Sequence, residues 1–210
     1  MLLVLLLIGL WQIAAASGFL ADRLGLEDFL VPSPAQIAEV LWQDRSLIAE
    51  NARVTLVEVV LGFLIAVVLG LATATTLHLS DLLRRASYPL VVASQTVPII
   101  VVAPILVVWF GYGIGPKLAV IALICFFPIT VNTLDGLQSV DRDRVRMMRT
   151  LYASRAQVFT RVEAPTALPY AFSGAKIAVA VAVIGAVFGE WAGADSGLGY
   201  LMLQDNAQLE

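Results

Sequence analysis

Long apolar runs alternate along this chain with short polar stretches. Five runs approach the roughly 20 apolar helical residues that a bilayer core about 30 Å thick requires. They are Leu2–Ala16, slightly short, then Val54–Leu77, Pro89–Phe110, Lys117–Leu134 and Ala171–Trp191. Backbone N–H and C=O groups find no partner in lipid, so each run predicts a helix. Alternating strands of about ten residues are not seen, which argues against a membrane β-barrel. The expected fold class is all-α: a polytopic membrane helical bundle, one domain over residues 1–210. Ala14-Ala15-Ala16 looks like a signal-peptide cleavage site, but no Lys or Arg precedes the run, so a retained first helix is expected.

Pattern within the runs adds detail. Gly62, Ala66, Gly70 and Ala74 fall on one face of the second. Ala178, Ala182 and Ala186 fall on one face of the fifth, with Gly185 and Gly189 beside them. Small faces let helix backbones approach closely, so these are expected packing seams. Pro98 and Pro104 interrupt the third run. Proline removes a helical hydrogen bond; broken helices often border transport pathways, and a tolerated kink is an equally weighted reading. With Gln95 and Thr96 nearby, this helix is the first candidate for lining a pathway.

Composition supports the membrane assignment, with 60% hydrophobic and 14% charged residues. Soluble domains average about 45–50% and about 25%. The single cysteine, Cys125, lies inside an apolar run and reads as a small buried hydrophobe.

Charge then orients the helices. Of the 13 Lys and Arg residues, Arg142, Arg144, Arg146, Arg149, Arg155 and Arg161 fall between the fourth and fifth runs, and Arg84 and Arg85 between the second and third. Alternate loops are poorer in positive charge, and residues 192–210 hold none. The positive-inside rule places the arginine-rich loops and the N-terminus in the cytoplasm. Residue 210 then lies outside, and a sixth helix is expected to follow.

Topology does not account for the loop over about 135–170, which is far longer than an ordinary connection. Val145, Met148 and Leu151 recur at three-residue steps, Val158, Phe159 and Val162 form a second apolar group, and Arg142, Arg146 and Arg149 are expected on the opposite face. One or two short amphipathic helices are predicted, either lying on anionic lipid or docking a cytoplasmic partner.

Ionisable residues inside spans are costly and often functional. Glu58 and Glu190 qualify, both expected close enough to the interface to be wetted. Trp191 could stack an aromatic ligand, and Gly193 to Gly199 reads as a flexible outer loop. His78 is expected at the interface and has no partner set for a metal. There is no Walker A sequence and no zinc-protease helix, so the chain is not expected to be an enzyme or to hold ATP, another cofactor or a metal. Basic residues without interleaved aromatics give no case for nucleic acid. An ion-gradient-driven secondary transporter, with Glu58 or Glu190 titrating, is the alternative, but the inverted repeat it would carry is not visible.

The segment RMMRTLYASRAQVFTRVEAP, followed by TALPYAFSGAKIA, resembles the permease subunits of bacterial ABC importers. Their loop motif of Glu-Ala-Ala, Gly and Ile-x-Leu-Pro falls here on Arg146-Met147-Met148, Tyr152 and Val162-Glu163-Ala164-Pro165. The spacing and the Pro are kept. The Glu-Ala-Ala is replaced, and Tyr152 stands where glycine would permit a positive φ. LVPSPAQIAEVLW, TVPIIVVAPILVVWFGYG, FFPITVNTLDGLQSVD and GEWAGADSGLGYLM are similar to blocks of the branch importing sulfonates, taurine, nitrate, thiamine precursors or riboflavin, the last block most to the vitamin-precursor permeases. The resemblance implies six helices, a second permease copy, a cytoplasmic ATPase carrying ATP and Mg, and an extracytoplasmic substrate-binding protein. It implies a multi-pass protein of the bacterial inner membrane. Under it, Met147, Met148, Arg149, Leu151, Tyr152, Ala153, Ser154 and Pro165 are the expected ATPase-coupling residues. Gln95, Thr96, Pro98, Glu190 and Trp191 are the expected pathway residues.

Overall fold

The computed structural model describes residues 2–18, 23, 25 and 30–207. Every regular element among them is a helix. The chain divides into two compact units, residues 1–50 and 51–210.

In the first unit, α1 (Leu2–Ala16) is apolar all round and has no buried residue. At 1.5 Å per residue it is about 22 Å long, short of a bilayer core. Helix α2 (Pro34–Gln43) starts with Ser33 as N-cap, Pro34 in the first turn and a capping box with Gln36. These satisfy amides that a helix start leaves unpaired. Gln12 Oε1 accepts a further one, from Ala35 N, at 2.9 Å. Helix α3 (Arg45–Leu79) begins in this unit and continues into the next.

The second unit is organised by one face of α3. Asn51, Thr55, Glu58, Gly62, Ala66, Gly70, Ala74 and Leu77 are buried, in steps of three and four residues. The opposite face shows Leu56, Val60, Leu64 and Val68 outward. A polar-lined stripe inside and a greasy surface outside suit a helix bounded by protein on one side and lipid on the other. The small residues bring α6 (Ile114–Gln138) close. A Cβ on Gly62 would stand 2.6 Å from that of Ile121, and one on Gly70 would stand 2.8 Å from Ile129 Cγ2. Helix α9 (Ala164–Trp191) completes the same core through Gly174, Ala178, Ala182, Gly185 and Ala186. The Cys125 thiol donates to the Ala178 carbonyl at 3.3 Å, so the lone cysteine is the buried hydrophobe expected.

Among the described residues three helices are long and apolar enough to span: α3, α6 and the 37-residue run Arg155–Trp191. The third expected span is corrected. It is not one kinked helix over Pro89–Phe110 but two helices, α4 (Asp81–Ala93, continued by a 3-10 turn to Thr96) and α5 (Ile99–Phe110), bent by 103°. Val97, held extended with ψ 119° ahead of Pro98, makes the break. A residue before proline is pushed out of the helical region, and Pro98 itself cannot donate. Pro104 sits inside α5 without ending it.

Between α6 and α9, the long connection is helical, as expected. Helix α7 (Arg142–Thr150) is capped by Asp141. Helix α8 (Arg155–Val158) is capped by Ser154 with a capping box from Gln157. A π-helical turn over Phe159–Glu163 joins α8 to α9. The turn between α7 and α8 ends in a Schellman arrangement: Tyr152 N donates to Arg149 O and Ala153 N to Met148 O, each at 3.0 Å. That motif puts its C′ residue in the left-handed region, where glycine is usual. Here Tyr152 takes φ 59°. The turn therefore survives the loss of glycine. Last comes α10 (Leu198–Ala207).

Candidate functional site

Three places collect the expected residues. The first is the break between α4 and α5. A cavity of about 520 Å³ opens there, walled by Ser94, Gln95 and Pro98 on one side and by Phe127 and Asn132 of α6 and Ile177 of α9 on the other. Gln95 and Pro98 thus meet as expected. Thr96 is not on the wall; its hydroxyl donates to Ala93 O at 2.8 Å. Neither Glu190 nor Trp191 reaches this cavity. Trp191 stands edge-on to Phe188, with ring centroids 5.5 Å apart.

The second place is a buried polar cluster where α3, α6, α9 and α10 meet. Glu58 and Glu190 were expected to be wetted, but they are 2% and 1% exposed. Burial at that level demands partners. Glu58 Oε1 receives Lys117 Nζ at 2.6 Å, while Glu58 Oε2 is buried with no hydrogen-bond partner. Glu190 Oε1 accepts from the Thr55 hydroxyl at 2.6 Å, and its Oε2 accepts the backbone N–H groups of Gly199 and, at 3.3 Å, Tyr200. Asn51 Oδ1 accepts from Gly197 N and Thr55 Oγ1 from Leu198 N, both at 2.8 Å. Four successive amides at the start of α10 therefore end on side chains of α3 and α9. A carboxylate is favoured there by the helix dipole. The stretch Gly193 to Gly199 is accordingly tied down at its end rather than a free flexible loop. Gly197 has φ 117°, and a Cβ on it would run into the Glu190 carboxyl group.

Lys117, Asn51 and Thr55 were missed as site residues. A signal for two of them exists, since Asn51, Thr55 and Glu58 extend the small-residue stripe of Gly62 to Ala74 at the same spacing. Polar residues on a packed face must pair inside. Lys117 looked like loop charge because its partner lies 59 positions away in sequence.

The third place is the arginine-rich loop. The expected division into an arginine face and an opposite apolar face is corrected. Steps of three residues drift by about 60° each, so Val145, Met148 and Leu151 spiral around the helix instead of sharing a face. Val145 turns with Arg142, Arg146 and Arg149 into a cavity of about 410 Å³ that also contains His78 and Glu163. Met147 and Met148 border a separate groove of about 350 Å³ with Arg144, Arg161 and Pro165. Leu151 and Tyr152 are left at the tip, 71% and 97% exposed. Two contacts tie this loop to the end of α3: His78 Nε2 lies 3.0 Å from Glu163 Oε2, and the Arg155 guanidinium donates to the Leu79 carbonyl. Among the described residues no His, Cys, Asp or Glu group could hold a metal ion.

Membrane-length helices packed through small residues, with a long helical loop at one end, define a polytopic membrane protein. The chain belongs to the family of binding-protein-dependent transport system inner membrane components, whose pattern matches residues 66–208. It is 42% identical to the formylaminopyrimidine transport permease protein ThiX of Halalkalibacterium halodurans, over 98% of this chain and 80% of that protein. It is 37% identical to a probable ABC transporter permease protein of Haemophilus influenzae, over 100% and 83% of the two chains. It is likewise 37% identical to the riboflavin transport system permease protein RibX of Chloroflexus aurantiacus, over 94% and 72%. The chain is thus an ABC transporter permease subunit and a multi-pass inner-membrane protein, a transport component and not an enzyme.

Proposed function

We propose that this chain is the membrane subunit of an ATP-driven importer for a small vitamin precursor of the pyrimidine or flavin type. The likeness to the formylaminopyrimidine and riboflavin permeases supports this substrate class over the sulfonates and nitrate of more distant relatives. The arginine-rich loop and the N-terminus face the cytoplasm, by the asymmetry of positive charge. An extracytoplasmic binding protein delivers the solute, two copies of the chain, as one domain each, enclose the pathway, and ATP and Mg reside on a cytoplasmic ATPase. Gln95 and Pro98 border the pathway.

The observation that carries the coupling role is the loop tip. Leu151 and Tyr152 stand almost fully outward on a turn whose backbone is held by paired hydrogen bonds and two helix caps. An apolar pair on a rigid turn is a knob for a groove on another protein, flanked by Met147, Met148, Arg149, Ala153, Ser154 and Pro165. Burying one such side chain is worth roughly 1.5–3 kcal/mol, whereas an exposed ion pair is worth about 0–1 kcal/mol. Leu151→Asp should therefore strip the ATPase from the purified complex and abolish ATP-driven uptake, while Arg144→Ala should leave both near normal. Full ATPase retention and uptake with Leu151→Asp would remove the loop from the coupling path. Gradient-driven transport by Glu58 or Glu190 fits less well, because both carboxylates are engaged with internal partners and lie off the wall of the break cavity.

A further inference from the structure

The cavity at the α4–α5 break has properties that bear on which solutes can pass. Its volume of about 520 Å³ suits a single ring-sized solute. None of the described residues on its wall is charged, and Lys176, next in sequence to Ile177, is not among them. An anion at membrane depth loses its hydration and needs a cation or a ring of donors in exchange. The polar groups present are a hydroxyl and two neutral amides, which carry no charge to offset that of an anion. The Ser94 hydroxyl spends its proton on Val91 O at 2.7 Å, so toward the cavity its oxygen can only accept. Asn132 Nδ2 donates one of its two N–H groups to Pro128 O at 2.8 Å, which fixes the amide and leaves Oδ1 to accept and the second N–H to donate. Helix α9 locks this arrangement. A Cβ on Gly174 would lie 2.5 Å from Pro128 O and 3.0 Å from Asn132 Cβ, so the two helices touch with no slack at the amide. Phe127 adds an aromatic wall on the same helix.

We propose that Asn132 is a specificity-determining residue of the transport pathway: its fixed amide presents an acceptor beside a donor, with the Ser94 oxygen as a second acceptor, in a charge-free cavity, which admits neutral, planar solutes of the aminopyrimidine kind and rejects small anions. This rests on the importer reading above. The binding protein selects what is delivered; the cavity imposes a second sieve on charge. The Asn132 and Ser94 oxygens repel nitrate and sulfonate groups and receive amino groups, while the second Asn132 N–H can donate to a ring nitrogen. Gln95, whose amide can donate as well as accept, tolerates different faces of the same ring.

The test uses the full-length permease purified with its ATPase in lipid nanodiscs, without the binding protein. Radiolabelled formylaminopyrimidine, ethanesulfonate and nitrate are the probes, followed by equilibrium binding. The wild-type complex should bind the pyrimidine and neither anion. Losing one neutral hydrogen bond should weaken pyrimidine binding about three- to tenfold in Asn132→Leu, and by a similar factor in the smaller Asn132→Ala should the leucine fail to fit. Gln95→Arg should introduce ethanesulfonate binding. Ethanesulfonate or nitrate binding to wild type, unchanged pyrimidine affinity in both Asn132 variants, or no binding of any probe would overturn the proposal. A wild-type chain that brings down no ATPase would instead sink the importer reading, so the two failures are distinguishable.

Discussion

Lys117 and Glu58 form an ion pair at 2.6 Å, with side chains only 6% and 3% exposed. Breaking such a pair from one side differs from removing both charges. Lys117→Met keeps most of the volume but strands the Glu58 carboxylate, whose second oxygen already has no partner. An uncompensated buried charge costs about 3–5 kcal/mol. Glu58→Gln added to Lys117→Met removes that charge, and the double variant should recover to within about 1–2 kcal/mol of wild type, since neutral replacements of buried pairs are often tolerated. For a chain of this size about 1 kcal/mol moves the melting temperature by roughly 2–4 °C. Lys117→Met alone should thus melt about 6–20 °C lower, and the double variant much closer to wild type. Cys125 offers the assay. It is the only cysteine and is fully buried, so a thiol-reactive dye reports unfolding of the detergent-solubilised protein on heating. A double variant that melts at or below Lys117→Met would refute the reasoning, because it would mean that the two charges contribute independently.

Glu190→Leu deprives the Gly199 and Tyr200 amides and the Thr55 hydroxyl of their acceptor, at about 1–3 kcal/mol per unsatisfied group, so hydrogen exchange at residues 197–200 should accelerate strongly while the middle of α6 keeps its protection. Gly62→Ala drives a methyl group into Ile121 and should destabilise by about 1–3 kcal/mol, with partial recovery on adding Ile121→Ala, read in the same dye assay. Tyr152→Gly relieves a left-handed tyrosine, a conformation costing about 1–2 kcal/mol, so the melting temperature should hold or rise while ATPase retention falls because the exposed ring is gone.

Much of this molecule is readable from residue order alone, and the parts that are not share a cause. The small stripes of α3 and α9 predicted packing seams, and the structure seats Gly62 and Gly70 on Ile121 and Ile129. Local chemistry sufficed there, because a glycine row on a helix leaves few alternatives. Pro98 announced a break but not its 103° angle, which depends on what α6 offers the freed chain. Glu58 and Glu190 stood out as intramembrane carboxylates, yet their burial was hidden, since Lys117 and the α10 amides come from distant or later segments. Tyr152 shows the reverse: a side chain in place of glycine argues against the turn, and its flanking hydrogen bonds hold it regardless.

The continuous helical run from Arg155 to Trp191 has a mechanical consequence. Its 37 residues make a rod about 55 Å long. One end leaves the exposed loop tip, the middle is gripped against α6 at Gly174, Ala178 and Gly185, and the far end carries Glu190. A rod held at its waist is a lever with a fulcrum. With the fulcrum nearer the Glu190 end, the arms are about 36 Å and about 18 Å, so a tilt of about 10° displaces the loop end by roughly 6 Å and the other end by roughly 3 Å, in opposite directions. The π-helical turn at Phe159–Glu163 lies near the driven end, where a looser hydrogen-bond ladder can absorb twist before it reaches the fulcrum. Inward motion of the loops would therefore be felt at the other end of the same helix as outward strain on the amides that Glu190 holds, with no separate relay required.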